Sequence, residues 1–203
     1  PFNNLADRRD RDGISVADAM ATWDRDPARL ADARRVDDVG VYLELHIEQG
    51  PQLDRAGVDI GAVTAIVGLI GYRARLTGET NHAGTTPMDV RRDALVGAGR
   101  AVAGLRDESR RRPGTTANVG VIGVQPGGSN VIPGVCEFTI DLRAPTAGGL
   151  AEFDEAARAL LAGIAGDEGL ELELEEAYRI PPAPMDDALI DLFADLDLDR
   201  PVA

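Results

Sequence analysis

The sequence predicts an α+β fold with a ferredoxin-like β-α-β-β-α-β arrangement over residues 69–179. Two observations predict it: short segments in which apolar and polar residues alternate, and longer segments with an apolar stripe at helical spacing. Their order along the chain is that of the split βαβ motif, in which two helices cover one face of an antiparallel sheet. Such a sheet leaves an edge strand or a helix available for a second subunit.

Each predicted element of this domain has a local signal. In chain order the elements are a strand, a helix, two strands, a helix and a strand: 70–80, 87–111, 116–124, 136–143, 150–165 and 170–178. The first helix is predicted to begin at Pro87, because proline is favoured in the first helical turn. The last strand alternates strictly, as expected for a strand with one buried face.

The segments before and after this domain are shorter. Residues 1–68 contain a capping-box helix start at Ser15, a second short helix at 27–35, and an apolar run at 39–48 that predicts a buried strand. A helical turn that begins at Gln52 is expected to end at Gly57.

Residues 180–203 contain a proline-rich linker at 181–184 and the start of a helix at 186–196. The predicted organisation is therefore a domain at 69–179 between partial segments at 1–68 and 180–203. The first residue is not methionine, and both ends read as cuts within a longer protein.

The charge restricts the possible partners. With 21 basic and 35 acidic residues the net charge is 21 − 35 = −14, which argues against nucleic acid or an anionic membrane as partner. One buried arginine is still enough to bind a small anionic substrate. The single cysteine, Cys136, is predicted to lie in the core; it cannot form an internal disulfide, so a cytoplasmic location is expected.

His46 is the first candidate for chemistry. It lies between Glu44 and Glu48 in ELHIEQG, and the three side chains would share one face of a strand. Imidazole is the commonest zinc ligand, and neighbouring carboxylates often orient it. The alternative is a buried histidine that binds a backbone carbonyl.

His82 is the second candidate, in NHAGTTPM. The helix predicted at Pro87 would offer free N–H groups that suit an oxyanion. The alternative is an ordinary polar loop between a strand and a helix.

Two later motifs could bind a ligand. Asn130 lies in the glycine-bracketed loop GGSNVIPG, which could equally be a hairpin connection. Arg143 ends a strand in DLRAP and could grip a carboxylate with paired hydrogen bonds. The alternative for Arg143 is a salt bridge to Asp141 or Glu79.

The four motifs ELHIEQGP, GETNHAGTTPM, GGSNVIPG and DLRAP, in this order, resemble the M20-type metallo-amidohydrolases. The branch that they resemble contains N-carbamoyl-L-amino acid hydrolase, β-ureidopropionase and allantoate amidohydrolase. The resemblance covers about residues 12–180. It implies that the domain at 69–179 is a lid and dimerisation domain inserted in an α/β zinc-hydrolase domain, and that a homodimer pairs through it.

The resemblance also implies roles for five residues. His46 would bind one of two zinc ions, with manganese as an alternative metal, and Gln49 would contact the substrate. His82 would polarise the scissile carbonyl, and Asn130 and Arg143 would hold the substrate carboxylate. The implied reaction is hydrolysis of a ureido acid (an N-carbamoyl-L-amino acid, N-carbamoyl-β-alanine or allantoate) to an amino acid, ammonia and carbon dioxide, with a glutamate as general base.

The sequence departs from this pattern in one respect. Nothing before Leu43 resembles the segment that carries the family's other metal ligands and general base, and a later histidine is also missing. Because catalytic zinc sites typically use three protein ligands, His46 alone would not hold zinc tightly. The 203-residue chain alone is therefore expected to be inactive and poorly metallated. A non-catalytic binding module and an M20 exopeptidase remain the alternatives.

Overall fold

The computed structural model describes residues 4–194, which divide into two compact units with the boundary between Gly50 and Pro51. In the first unit, helix α1 spans Val16–Ala21 and two 3-10 helices span Pro27–Ala33 and Val36–Asp38. No helix within residues 4–194 combines the length and the apolar character that crossing a membrane requires.

Helix α1 begins with the predicted capping box. The Ser15 hydroxyl accepts a hydrogen bond from the Asp18 N–H at 3.0 Å, and the Asp18 carboxylate accepts one from the Ser15 N–H at 3.3 Å. These hydrogen bonds satisfy two of the backbone donors that a helix start leaves unpaired. The helix predicted at 27–35 is present, but it is a 3-10 helix with Asp26 as its N-cap.

The prediction of a buried strand at 39–48 is wrong for the described structure. Residues 41–48 form neither helix nor strand, and the apolar side chains of Leu43, Leu45 and Ile47 are 78%, 98% and 76% exposed. A strand requires a neighbouring chain to pair with its N–H and C=O groups, and residues 4–194 provide no strand partner for this run.

The second unit contains most of the regular structure. Its helices and strands, in chain order, are α2 Gln52–Ala56, β1 Ala65–Ile66, β2 Gly68–Thr77, α3 Ala94–Arg110, β3 Thr116–Asn118, β4 Ile122–Gln125, β5 Val135–Ala144, α4 Ala147–Asp167, β6 Glu171–Ile180, β7 Ala183–Pro184 and α5 Asp187–Ala194. Helix α2 ends at Gly57 in the left-handed conformation (φ 67°), as predicted. The last two residues of the helix predicted at 186–196 lie outside the described residues.

The main sheet is antiparallel, with strand order β3-β5-β2-β6 and β4 also paired with β5. The single strand predicted at 116–124 is thus two strands. Thr116 pairs with Arg143, whereas Ile122 pairs with Phe138, so the register against β5 shifts by one residue between them. The predicted linker at 181–184 ends in β7, which pairs with β1 at the point where the chain enters the domain.

Helices α3 and α4 contact each other and the sheet around one core. The largest fully buried side chains there come from the two long central strands and both helices: Ile70, Leu76, Ile140, Leu142, Leu105, Phe153 and Leu161. Cys136 is fully buried in this core, as predicted, and burial raises the pKa of its thiol. The side chains that alternate with the core residues form the opposite, open face of the sheet.

One carboxylate is buried beside this core. Asp154 on α4 is 8% exposed and accepts hydrogen bonds from the Tyr72 hydroxyl at 2.6 Å, from Arg158 at 3.1 Å and from Arg179 at 2.7 Å. The Arg158 guanidinium also lies 4.8 Å from the centre of the Tyr72 ring. The network joins α4 to β2 and β6, so it fixes the helix against the sheet.

The same glycine-to-alanine change should have opposite effects at two positions. A Cβ at Gly78 would lie 2.0 Å from the Arg92 carbonyl oxygen, a backbone atom, whereas one at Gly163 on α4 would meet nothing within 4 Å. We expect Gly78→Ala to lower the free energy of unfolding by about 1–3 kcal/mol and Gly163→Ala to raise it by about 0.5–1 kcal/mol. Urea unfolding of both variants would measure this, and equal changes would contradict the close approach at Gly78.

Candidate functional site

Two loops of the second unit carry predicted site residues, and backbone hydrogen bonds join them. The Ala83 N–H donates to the Asn130 carbonyl at 2.9 Å, and the Ile132 N–H donates to the Asn81 carbonyl at 2.8 Å. His82 and Val131 form an isolated antiparallel bridge between these bonds. The structure therefore places His82 beside the loop of Asn130, which is also the hairpin connection between β4 and β5.

The His82 ring is oriented by its own loop. The Gly84 N–H donates to Nδ1 of His82 at 3.1 Å, so the neutral ring carries its proton on Nε2 and can donate it to an acceptor. A Cβ at Gly84 would lie 3.1 Å from Cε1 of His82, closer than most such contacts. A side chain at Gly84 would therefore displace the His82 ring by a few tenths of an ångström.

Arg91, which the sequence analysis did not select, holds the same loop. Its Nε donates to the Thr86 carbonyl at 3.1 Å, and its guanidinium also donates to the Ala83 carbonyl. The Thr86 hydroxyl in turn donates to the His82 carbonyl at 2.8 Å. The signal in the sequence was only a basic residue a few positions after the motif, which is too common to be informative.

The prediction that a helix begins at Pro87 is wrong. Residues Met88–Val90 form a 3-10 turn, and α3 starts at Ala94. Its N-cap is Asp93, whose carboxylate accepts hydrogen bonds from the N–H groups of Leu95 and Val96 at 3.0 and 3.3 Å. Because the cap occupies these donors, the helix start is not available to an oxyanion.

Arg143 lies on β5 and pairs with a carboxylate of its own strand. Its Nε donates to Oδ1 of Asp141 at 2.6 Å and its terminal nitrogen to Oδ2 at 3.3 Å, which is the first of the two salt bridges considered from the sequence. This hydrogen bond and the charge of Asp141 raise the pKa of Arg143. Tyr178 on β6 donates to Oδ2 of Asp141 at 3.1 Å.

His46 and Gln49 lie in the first unit. Nδ1 of His46 is 2.5 Å from the Ile47 carbonyl oxygen, so the ring binds a backbone carbonyl, but it is exposed rather than buried. Gln49 has a left-handed backbone with φ 55°, which is uncommon outside glycine.

The described residues do not fit a zinc site. Within residues 4–194 no group of three or more His, Cys, Asp or Glu side chains is arranged to hold a metal ion, and catalytic zinc needs about three protein ligands. Two clefts of about 280 Å³ are present, one between α3 and β3 and one beside Pro145, but neither is lined by a predicted site residue. The candidate residues of the second unit, His82, Asn130 and Arg143, are exposed.

Comparison with known proteins identifies a matching domain family and several similar proteins. Residues 64–168 match the family described as the peptidase dimerisation domain, M20_dimer. The chain is 38% identical over 184 residues to N-carbamoyl-L-amino-acid amidohydrolase of Paenarthrobacter aurescens, covering 90% of this chain and 45% of that protein. It is 38% identical over 182 residues to allantoate amidohydrolase of Bacillus subtilis, covering 89% and 44%.

Solved structures of similar proteins have the same fold as this chain. A hydantoinase/carbamoylase family amidase from Burkholderia multivorans superposes with a TM-score of 0.83 at 35% identity, covering 100% of this chain and 49% of that one. The chain thus spans somewhat less than half the length of the curated relatives named above.

Proposed function

The chain belongs to the M20 family, and we propose that the full-length protein hydrolyses N-carbamoyl-L-amino acids or related ureido acids such as allantoate or N-carbamoyl-β-alanine. The observation that carries this proposal is the similarity, at 38% identity over about nine-tenths of the chain, to relatives named as amidohydrolases of N-carbamoyl amino acids and allantoate. The joined loops of His82 and Asn130 support it from the geometry. Arg143 lies on the open sheet face near the other end of β5, about 26 Å along the strand from Val135, so it does not meet these loops within one protomer.

In this proposal His82 donates a hydrogen bond to the carbonyl oxygen of the ureido group. The bond from Gly84 to Nδ1 supports this role, because it leaves the ring proton on Nε2. A donor aimed at the oxygen that gains charge stabilises the transition state more than the substrate. Asn130 and Arg143 hold the carboxylate of the substrate. Because they lie near opposite ends of β5, they would do so from the two protomers of the homodimer. Gln49 contacts the substrate from its own segment.

The metal requirement belongs to the full-length protein. The resemblance implies two zinc ions or manganese, with His46 as one ligand, but the residues described do not form a metal site. We therefore propose no step through a metal in this chain. We also propose that the 203-residue chain alone is inactive.

The proposal extends to architecture and assembly. Residues 69–179 would be a lid of ferredoxin-like arrangement between catalytic-domain segments at 1–68 and 180–203, and the strand order β3-β5-β2-β6 supports this. A cytoplasmic homodimer would form through the lid. The name of the matched domain supports the dimer, as do the apolar side chains of Leu95, Val96 and Val102 on α3, which are 40–45% exposed.

Ammonia release from N-carbamoyl-L-amino acids and allantoate tests the proposal. We expect the full-length protein, loaded with zinc or manganese, to turn over at least one of these substrates, and the 203-residue chain to bind little metal and to show no turnover. Turnover by the short chain at a comparable rate would contradict its predicted inactivity. No turnover of any ureido acid by the metal-loaded full-length protein would refute the proposed function.

A further inference from the structure

Three residues of neighbouring strands form a row on the open face of the sheet. Gly71 of β2 is paired with Asp141 of β5 on one side and with Tyr178 of β6 on the other. The Tyr178 hydroxyl donates to Oδ2 of Asp141 at 3.1 Å, so its ring crosses the whole width of the central strand. Asp141 in turn accepts two hydrogen bonds from Arg143.

A β-bulge directs Tyr178 to this face. Tyr72 pairs with Glu176, but its neighbour Gly71 pairs with Tyr178, so Ala177 is the extra residue of β6. Because side chains alternate between the faces of a strand, an unbroken strand would put Tyr178 on the face of Leu174, toward the helices. Bulges often re-aim side chains next to functional sites.

The absence of a side chain at Gly71 makes the bridge possible. A Cβ there would lie 2.2 Å from Cζ of Tyr178 and less than 3 Å from two further ring atoms. The ring therefore occupies the space that any other residue at position 71 would fill. The bulge and this glycine are independent features, and both serve the same contact between Tyr178 and Asp141.

We propose that Tyr178 and Asp141 are positioning residues that hold the Arg143 guanidinium for the carboxylate of the substrate. Arginine has five N–H donors in a planar fork. Asp141 engages Nε and one terminal nitrogen, so it fixes the plane of the fork and leaves other donors for an anion. Tyr178 fixes Asp141 in turn. This inference rests on the proposed function, in which Arg143 binds that carboxylate.

Kinetics of the full-length protein test it with two substrates, an N-carbamoyl-L-amino acid and the same compound with a carboxamide in place of the carboxylate. We expect Tyr178→Phe to raise KM for the acid about three- to tenfold, the effect of one lost hydrogen bond of ordinary strength. For the Tyr178→Phe variant, kcat for the acid and KM for the carboxamide should both stay close to the wild-type values. Asp141→Asn should act in the same direction, and Arg143→Lys more strongly, by about tenfold to hundredfold.

Tyr72→Phe is the matched control, because Tyr72 also donates to an aspartate, Asp154, but on the helix face of the sheet. It should lower the melting temperature and leave KM for the acid unchanged. An equal rise of KM for acid and carboxamide in Tyr178→Phe would mean a purely structural role and would overturn the inference.

The remaining outcomes separate this inference from the proposed function. If Arg143→Lys raises KM for the acid while Tyr178→Phe and Asp141→Asn do not, the positioning role alone is wrong. If Arg143→Lys has no effect on an active protein, Arg143 does not bind the carboxylate and the inference is also wrong. If the wild-type protein hydrolyses no ureido acid, the proposed function fails, and the inference fails with it.

Discussion

Replacing His82 with alanine should lower kcat of the full-length protein for a ureido acid about 100- to 1,000-fold, with little change in KM. The expected loss is that of one donor to the developing oxyanion. Because the interaction strengthens only as charge builds on the carbonyl oxygen, its removal affects the transition state much more than substrate binding.

The local structure explains why replacing His82 with alanine should lower the rate of the reaction without lowering the stability of the protein. His82 is exposed, and its imidazole contributes to the loop through the one bond that it accepts from the Gly84 N–H. The other bonds that hold the loop are made by backbone atoms, Thr86 and Arg91. Removal of the imidazole should therefore leave the melting temperature within about 2 °C of wild type, since exposed substitutions rarely cost more than about 0.5 kcal/mol.

His82→Gln is the matched control for this prediction, because a glutamine amide can still donate a hydrogen bond. It should recover part of the lost rate. A His82→Ala variant with kcat within about threefold of wild type would show that the imidazole does not contact the reacting carbonyl, since one oxyanion donor is worth far more than that.

Asp154→Ala should lower the free energy of unfolding by about 2–3 kcal/mol. The change removes the acceptor of three hydrogen bonds and leaves the Tyr72 hydroxyl and two arginines without it. The cost stays below that of a fully buried ion pair, because the side chains of Arg158 and Arg179 are 46% and 41% exposed and can regain water.

The same network predicts the direction of a pH dependence. Burial raises the pKa of Asp154, but the hydrogen bonds from Arg179, Tyr72 and Arg158 and the charge of Arg158 lower it more, so the folded-state pKa lies below its ordinary value. A depressed folded pKa contributes stability above the unfolded value of about 3.9 and loses it as the pH falls through the folded value. Burial also raises the pKa of Tyr72 to about 12, so this tyrosine stays a donor at neutral pH.

Urea unfolding near neutral pH and near pH 3 measures both effects. The loss in Asp154→Ala should be smaller at the acidic pH, where the wild-type contribution is itself decreasing. Glu175→Ala is the control: its ion pair with Arg73, at 3.2 Å, is about two-thirds exposed on the open face and should cost less than about 1 kcal/mol. Equal losses for the two variants would show that Asp154 behaves as a surface carboxylate.

The order of elements in the sheet domain followed from local patterns, because alternation and helical periodicity report directly which residues face a core. The three ten-residue strands β2, β5 and β6 and the two long helices α3 and α4 were predicted to within about seven residues at each end. The start of α3 was misplaced at Pro87 because proline is favoured in a first turn, whereas the structure uses the Asp93 side chain as the cap. Both signals are local, and only the three-dimensional structure decided between them.

The contacts between the candidate site residues depend on how strands and loops pair with one another, which local sequence periodicity does not reveal. The bulge at Ala177 could not be predicted, because it is defined by the register between β2 and β6, and strict alternation places Tyr178 on the wrong face. The hydrogen bonds between the loops of His82 and Asn130 likewise join segments about 50 residues apart in sequence. Sequence motifs identified these loops but not their contact.

For the apolar run at 39–48, the sequence pattern predicted more structure than the described residues show. Its pattern predicts burial, yet its apolar side chains are exposed in the described structure. Hydrophobic periodicity indicates which side chains of a segment could be buried. Burial also requires another surface for the segment to pack against. The predicted metal ligand His46 lies in this run, and its role remains a prediction.

The most direct test of the central claim is the kcat/KM of the metal-loaded full-length protein for an N-carbamoyl-L-amino acid, compared with a dipeptide that has the same C-terminal residue. Both substrates offer a carboxylate to Arg143, so the comparison isolates the bond that is cleaved. A ureido-acid hydrolase should favour the N-carbamoyl compound by at least about 100-fold, the discrimination expected when a site is built around one group. Efficient cleavage of the dipeptide with no turnover of the N-carbamoyl compound would contradict the claim and identify a peptidase.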